Sequence, residues 1–376
     1  MTDSVYFDNN ATTAIAPEVF EAMLPYLRDH FGNPSSPHGY ARKPAMAIAN
    51  AREQVARLVG VDASSIFFTS GGTEGNAMAI HAALAARPGR TDIIFSAVEH
   101  AAVWGWRKQL ASQGYTIRIA GVSRNGSLDL DHFHSLITSN TALVCIMLAN
   151  NETGIIYPVK QIAASAHEAG ALVHTDAVQA IGKISVDLRE LDVDFATIGG
   201  HKFHAAKGIG ALYIRDPKNF SPIMYGGEQE AGVRPGTEAV SSIVSLGAAA
   251  DLARREEPGI SARRDNFEQW LMATFPGVII AGQGEPRLPN TTLAFFPNVE
   301  TEPLLALLDM NGVACSSGSA CASGAHEPSH VIAAMGLSAK NVAIVRISAS
   351  RYTTDEDYHR LREALVKSVA HLNLRR

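Results

Sequence analysis

Between residues 66 and 214 short apolar runs alternate with stretches of helical period. The runs Ile66–Thr69, Ile93–Ser96, Thr116–Ala120, Leu143–Ala149, Leu172–Thr175, Phe195–Ile198 and Ala211–Ile214 predict strands. The segments Glu74–Ala86, Ala101–Ser112 and Val159–Ala169 predict helices between them. Strands apolar on both faces and separated by helices predict an α/β fold with a mainly parallel, seven-stranded sheet covered on both sides. From about residue 255 the rhythm changes. Helices at 261–274, 302–310 and 354–370, strands near 277–281, 291–296 and 343–348, and a Ser/Gly/Cys loop at 315–325 predict a smaller α+β domain. The charged segment 254–265, with its Pro-Gly turn, marks the soft boundary between the two.

Composition narrows the function classes. The 376 residues are 46% hydrophobic and 18% charged, with a net charge of −5, which excludes disorder and a basic nucleic-acid or membrane-surface binder. No run of 18 apolar residues is present, so no membrane span is expected. The start, MTDSVYFDNNATT, lacks the pattern of a signal peptide. Three cysteines, an odd and small number, suit a reducing compartment, so the cytoplasm is expected.

Polar clusters stand at the carboxyl ends of five of these strands, where open α/β sheets bind ligands. They are Ser70-Gly71-Gly72-Thr73, Glu99-His100, Asn150-Asn151-Glu152, Asp176-Ala177-Val178-Gln179 and Gly199-Gly200-His201-Lys202. The glycine turn opening a helix suits a phosphate; a turn with a threonine cap would read the same. Asp176, closing an apolar strand, needs a cationic partner, which a salt bridge or a protonated pyridine nitrogen would supply. Lys202, among glycines, is either a solvated lysine or a Schiff-base amine. Taken together, the three match the parts a pyridoxal-phosphate enzyme requires.

The motifs extend along the chain: YFDNNATT at 6–13, FGNPSSPHGYAR at 31–42, FFTSGGTEGN at 67–76, NNETGIIYPV at 150–159, HTDAVQAIGKISVDL at 174–188, GGHKFHAAKGIGALYIR at 199–215, VRPGTEAV at 233–240 and SSGSACASGAHEPSHV at 316–331. On these blocks the chain resembles the cysteine desulfurases of the NifS/IscS type, in the class V aminotransferase superfamily of fold-type I pyridoxal-phosphate enzymes. That resemblance implies a large cofactor-binding domain at 15–255, and a small domain of 1–14 and 256–376 that carries the catalytic cysteine loop. It implies pyridoxal 5'-phosphate bound covalently to Lys202, with Asp176 on the pyridine nitrogen and His100 stacked on the ring. Gln179 and Asn151 resemble the contacts to the ring oxygen and substrate; Gly72, Thr73 and His201 resemble the phosphate site. Thr237 resembles the threonine that reaches the phosphate of the neighbouring subunit, which implies a homodimer. Arg346 matches the arginine that grips the substrate carboxylate, and a guanidinium suits that grip geometrically.

Cys321 lies in a small-residue, Gly-rich segment with no apolar period, a loop by its composition. The resemblance makes it the catalytic cysteine, converting L-cysteine to L-alanine and handing sulfur as a persulfide to an acceptor or scaffold protein, for iron–sulfur clusters or other sulfur compounds. Cys145 reads as core and Cys315 as a small buried residue at a strand end. Cys315, Cys321 and His326 fit no common zinc spacing, and no metal is expected. Gly199 stands where the family has a phosphate-contacting serine, and Ala231 where it has an arginine. Selenocysteine lyase, another class V aminotransferase activity and a degenerate non-catalytic homologue are the alternatives.

Overall fold

The computed structural model describes residues 4–255, 259–318, 329–337 and 341–373. Near its N-terminus, β1 (Val5–Tyr6) precedes a central sheet of seven strands. These are β2 (Ile66–Thr69), β3 (Asp92–Ser96), β4 (Thr116–Ala120), β5 (Thr141–Cys145), β6 (Leu172–Asp176), β7 (Phe195–Gly199) and β8 (Gly210–Ile214). Their order is β2-β8-β7-β6-β5-β3-β4. All neighbours from β4 to β7 pair in parallel, while β8 runs antiparallel to both β7 and β2. With β8 reversed, β2 points the same way as β3, β5, β6 and β7. The carboxyl ends of all five open on one edge.

The strands are continuously apolar because both faces are covered. Every residue of β2, β3, β5, β7 and β8 is buried. On one face the helix Arg42–Leu58 presents Ala47, Ile48, Ala51 and Val55, a helical stripe that meets the core with Leu246 and Ala250 of the helix Val240–Ala253. On the other face Met78, Ala79, Ala82 and Ala83 of the helix Gly72–Ala85 pack with Phe95, Leu143 and Leu212.

Two expectations are corrected here. The strand expected over 143–149 is regular only to Cys145; beyond it the Ile146 and Leu148 amides still donate to the carbonyls of His174 and Asp176, so the apolar run follows β6 outside a regular ladder. The helix expected over 101–112 breaks at Gly105 into Ala101–Trp104 and Trp106–Ser112.

The C-terminal part builds a three-stranded antiparallel sheet of β9 (Ile279–Ile280), β10 (Thr291–Pro297) and β12 (Val342–Ser348), ordered β12-β10-β9. Between β10 and β12 in sequence, β11 (Val313–Ala314) pairs in parallel with β1. A second core joins Val5 and Phe7 to Phe267, Leu304, Val345 and Leu365, so the first residues of the chain pack with the last third. This places the turn after β1 against the end of the large sheet. No described helix is long and apolar enough to cross a membrane.

Candidate active site

The site forms where the turn after β1 crosses the carboxyl edge of the large sheet. Lys202 follows β7, and its Nζ donates to the carbonyls of Asn10 and Ala11, both at 2.7 Å. The Asn10 carbonyl also accepts Gln179 Nε2 at 2.9 Å. Asn10 Nδ2 donates to the Asn151 carbonyl at 3.2 Å, and that same carbonyl accepts Arg346 Nη1 at 3.0 Å. Four of the sequence-derived site residues, Lys202, Gln179, Asn151 and Arg346, are thus brought together through one asparagine that the sequence reading did not single out.

Asp176, at the end of β6, is buried and accepts from two uncharged donors: Asn76 Nδ2 at 2.8 Å and the Val178 amide at 3.0 Å. Asn76 is a second residue the sequence reading did not assign; it lies one helical turn beyond Gly72. A buried carboxylate held by neutral donors presents a negative charge for a cation to complement. His100 caps the helix Ala101–Trp104, its Nδ1 accepting from the Ala102 amide at 3.2 Å, which places the ring proton on Nε2. Burial depresses its pKa, the Lys202 charge adds to that, and Asp176 opposes it. His201, held by Thr12 Oγ1 at 3.1 Å, is pushed down to about 4 by burial and by Lys202. Both rings are therefore neutral near pH 7.

The helix Gly72–Ala85 begins at Gly71 without a side-chain cap, so the first amides of Gly72 and Thr73 are offered to an anion. Gly199 explains itself against this turn. A Cβ built on Gly199 would sit 2.9 Å from Val178 Cγ1, and one on Gly72 would sit 2.9 Å from Val178 Cγ2. The Val178 side chain therefore fills the space that a serine at 199 would need. Thr237 is exposed, on a segment tied to the helix start by Arg234 Nε to Glu74 Oε1 at 2.8 Å. Arg346 is 2% exposed. Beyond Asn151, its Nη2 donates to Asp8 Oδ1 at 2.7 Å and its Nη1 to the Gly318 carbonyl at 2.6 Å. Cys321 and His326 lie outside the described residues. Cys145 is buried; Cys315 packs against the second core, and burial pushes its thiol up to about 12.

Two further groups stand beside this site, half-buried Lys183 and buried Glu99. Lys183 Nζ donates to Asn10 Oδ1 at 2.8 Å and Gln179 Oε1 at 2.6 Å, and burial holds its pKa well below the usual lysine range. Glu99 is fully buried, with Oε1 bonded to Ser96 Oγ at 2.5 Å and to the Met147 amide at 2.8 Å. Burial raises its pKa from 4.5 to about 8, with the charge of Asp176 adding to the rise.

A stability prediction follows from this shift. Below the unfolded value of 4.5 both states hold the proton. From there to about 8 the folded chain keeps a proton that the unfolded chain releases, so stability falls as pH rises and the loss is complete above the folded value. Melting temperatures of wild type and Glu99→Gln between about pH 5 and 9 are expected to diverge, the wild type losing more. Parallel curves would contradict the assignment.

Comparison with known proteins places these residues in a family context. The aminotransferase class-V model matches residues 5–361. A cysteine desulfurase of Trichormus azollae is 48% identical over 376 residues, covering 98% of this chain and 93% of that protein. The cysteine desulfurase NifS of Azotobacter vinelandii is 44% identical over 374 residues, with 98% and 93% covered. Among solved structures, a NifS-like protein superposes with a TM-score of 0.90 at 35% identity, covering 97% of this chain and 99% of that one.

Proposed function

The chain belongs to the aminotransferase class-V family and is a cysteine desulfurase, and on that premise we propose how its residues divide the reaction. The observation that carries the proposal is the placement of three unlike groups on one sheet edge: the Lys202 amine, the buried Asp176 carboxylate with neutral donors, and the uncapped helix start at Gly72. These suit pyridoxal 5'-phosphate, on which the family depends. Gly72 and Thr73 would hold the phosphate, with His201 beside them and Thr237 contributed by a second subunit. Asp176 would hold the ring nitrogen, His100 would lie against the ring, Gln179 and Asn151 would serve the ring oxygen and the substrate, and Lys202 would be the residue that holds the cofactor covalently. When bound, the cofactor supplies an electron sink for charge developing at the substrate Cα.

The protein's own groups do the rest. Arg346 takes the carboxylate of L-cysteine; a charged acceptor displaces the neutral Gly318 carbonyl from Nη1 because the charge-assisted bond is the stronger one. Lys202 removes the Cα proton and redelivers it. Neutral His100 handles the proton of the substrate thiol. The Cys321 thiolate attacks the substrate sulfur. The Cβ–S bond breaks with its electron pair left on carbon, an S–S bond forms on Cys321, and protonation of the carbon chain gives L-alanine. The persulfide passes to an acceptor or scaffold protein, for iron–sulfur clusters or other sulfur compounds. Exposed Phe20, Leu27, Phe31, Tyr40 and Met46, between residues 20 and 46, supply apolar surface for a homodimer.

The test is Cys321→Ala. The variant is expected to bind cofactor with an unchanged visible spectrum and to respond to L-cysteine, while sulfide and alanine production fall by about a thousandfold or more. Undiminished production would remove Cys321 from the reaction.

A further inference from the structure

We propose that Lys183 is a positioning residue for the contact to the cofactor's ring oxygen, its amine holding Gln179 Oε1 so that Gln179 presents Nε2 to the site. The proposal rests on the reading of Gln179 as the ring-oxygen residue. Lys183 lies seven residues after Asp176 and four after Gln179. Successive turns carry it back toward them. The Ile181 amide donates to the Ala177 carbonyl at 3.0 Å, and the Ile184 amide to the Ala180 carbonyl at 3.1 Å. Between them Gly182 has φ of +81°, in the left-handed region, where its missing side chain lets the chain turn. The Lys183 amine thereby reaches the side chain of Gln179.

An amide side chain has an acceptor end and a donor end of nearly the same shape, so its partners decide which way round it sits. Gln179 is 4% exposed, and bulk water does not serve either end. Its Nε2 gives one hydrogen to the Asn10 carbonyl at 2.9 Å, and its Oε1 accepts from Lys183 Nζ at 2.6 Å. Turned over, the amide would set its oxygen against a carbonyl, which cannot donate. In the observed orientation the second Nε2 hydrogen is the donor for the ring oxygen. The same amine holds Asn10. Asn10 Oδ1 accepts Lys183 Nζ at 2.8 Å and Asn290 Nδ2 at 3.2 Å. Asn10 Nδ2 donates to Thr291 Oγ1 at 2.9 Å and to the Asn151 carbonyl at 3.2 Å, which commits both of its hydrogens. One amine thus meets the oxygen ends of two buried amides. Charged or neutral, it keeps a hydrogen for each of them. Without it the Gln179 oxygen loses its donor inside the protein, and the amide gains a reason to swing away from the site.

The experiment is a double-mutant cycle on cofactor affinity. Full-length wild type, Lys183→Met, Gln179→Ala and the double variant are stripped of cofactor and titrated with pyridoxal 5'-phosphate, followed by visible absorbance. Lys183→Met is expected to weaken binding at least about tenfold in the wild-type background, and less than about twofold in the Gln179→Ala background. The pH midpoint of the visible cofactor band is expected to move in the same direction in Lys183→Met as in Gln179→Ala, a shift that a merely structural role would not produce. If Lys183→Met does not fold, Lys183→Ala takes its place in the cycle. Lys183 lines a cavity of about 490 Å³, from which water can fill the space of the shortened side chain, and the expected loss is at least about threefold. Affinity within twofold of wild type in the folded Lys183 variant would overturn the proposal. So would an equal loss in both backgrounds, which marks Lys183 as acting by its own charge or by general stability. Unchanged affinity in Gln179→Ala alone would instead overturn the reading of Gln179 as the ring-oxygen residue.

Discussion

Lys202→Ala is expected to lower desulfurase turnover by roughly a thousandfold or more, near the upper end of what a positioned acid–base group contributes. The expectation rests on where the amine sits. It is held by two carbonyls of the turn after β1, at the same asparagine that holds Gln179 and, through Asn151, Arg346. An amine so placed links the end of β7 to the turn after β1. The variant is expected to remain folded, since the Lys202 head group lies at a cavity wall, where water can reach the Asn10 and Ala11 carbonyls it leaves behind. Lys183 is a second amine in the same network. Its bonds to Asn10 Oδ1 and Gln179 Oε1 turn it toward the side-chain face of that turn, so it is not expected to substitute for Lys202. Measured turnover within tenfold of wild type would contradict this division of labour.

Arg346→Ala is expected to fail twice over. The guanidinium is 2% exposed and its partner Asp8 is 18% exposed at the side chain, so this ion pair is buried on the arginine side and half-buried on the other. Removing one member strands a carboxylate and takes the Arg346 bond from the Gly318 carbonyl, while the Asn151 carbonyl keeps Asn10 Nδ2. The cost expected is about 3–5 kcal/mol of stability. Loss of a charged hydrogen-bond partner for the substrate carboxylate is expected to raise KM by roughly a hundredfold. Arg346→Lys keeps the charge without the planar fork and is expected to recover part of the stability and little of the affinity. Thermal melts together with steady-state kinetics check both halves. An unchanged KM would remove Arg346 from the substrate site, leaving it a clamp between β12 and the turn after β1.

What the sequence makes legible is governed by distance along the chain. Lys202, Asp176 and the Gly72 turn stand at ends of strands whose apolar runs mark them, and the rule that ligands meet such ends needs no tertiary knowledge. Strands such as β2 and β6 are read nearly residue by residue for the same reason, since both faces are buried. Asn10 is different. Its partners Asn151 and Thr291 are 141 and 281 residues away, and nothing local distinguishes it from Asn9. The Arg234–Glu74 pair, 160 residues apart, is hidden likewise. Gly199 reads as a missing hydroxyl until Val178 is seen filling the space beside it. Arg346 reads as a substrate ligand, and the structure adds that its fork is engaged by Asp8, Asn151 and Gly318. Over-long expectations for β5 and for the helix after His100 have the same origin: apolar content persists where the regular backbone pattern does not.

The most direct measurement is to load the protein with pyridoxal 5'-phosphate, reduce it with borohydride, digest it and identify the lysine that carries the cofactor. The peptide containing Lys202 is expected to carry all of the adduct, with the Lys183 peptide unmodified. An adduct on Lys183 or on a surface lysine, or no stable adduct at all, would contradict the placement of the chemistry at the end of β7.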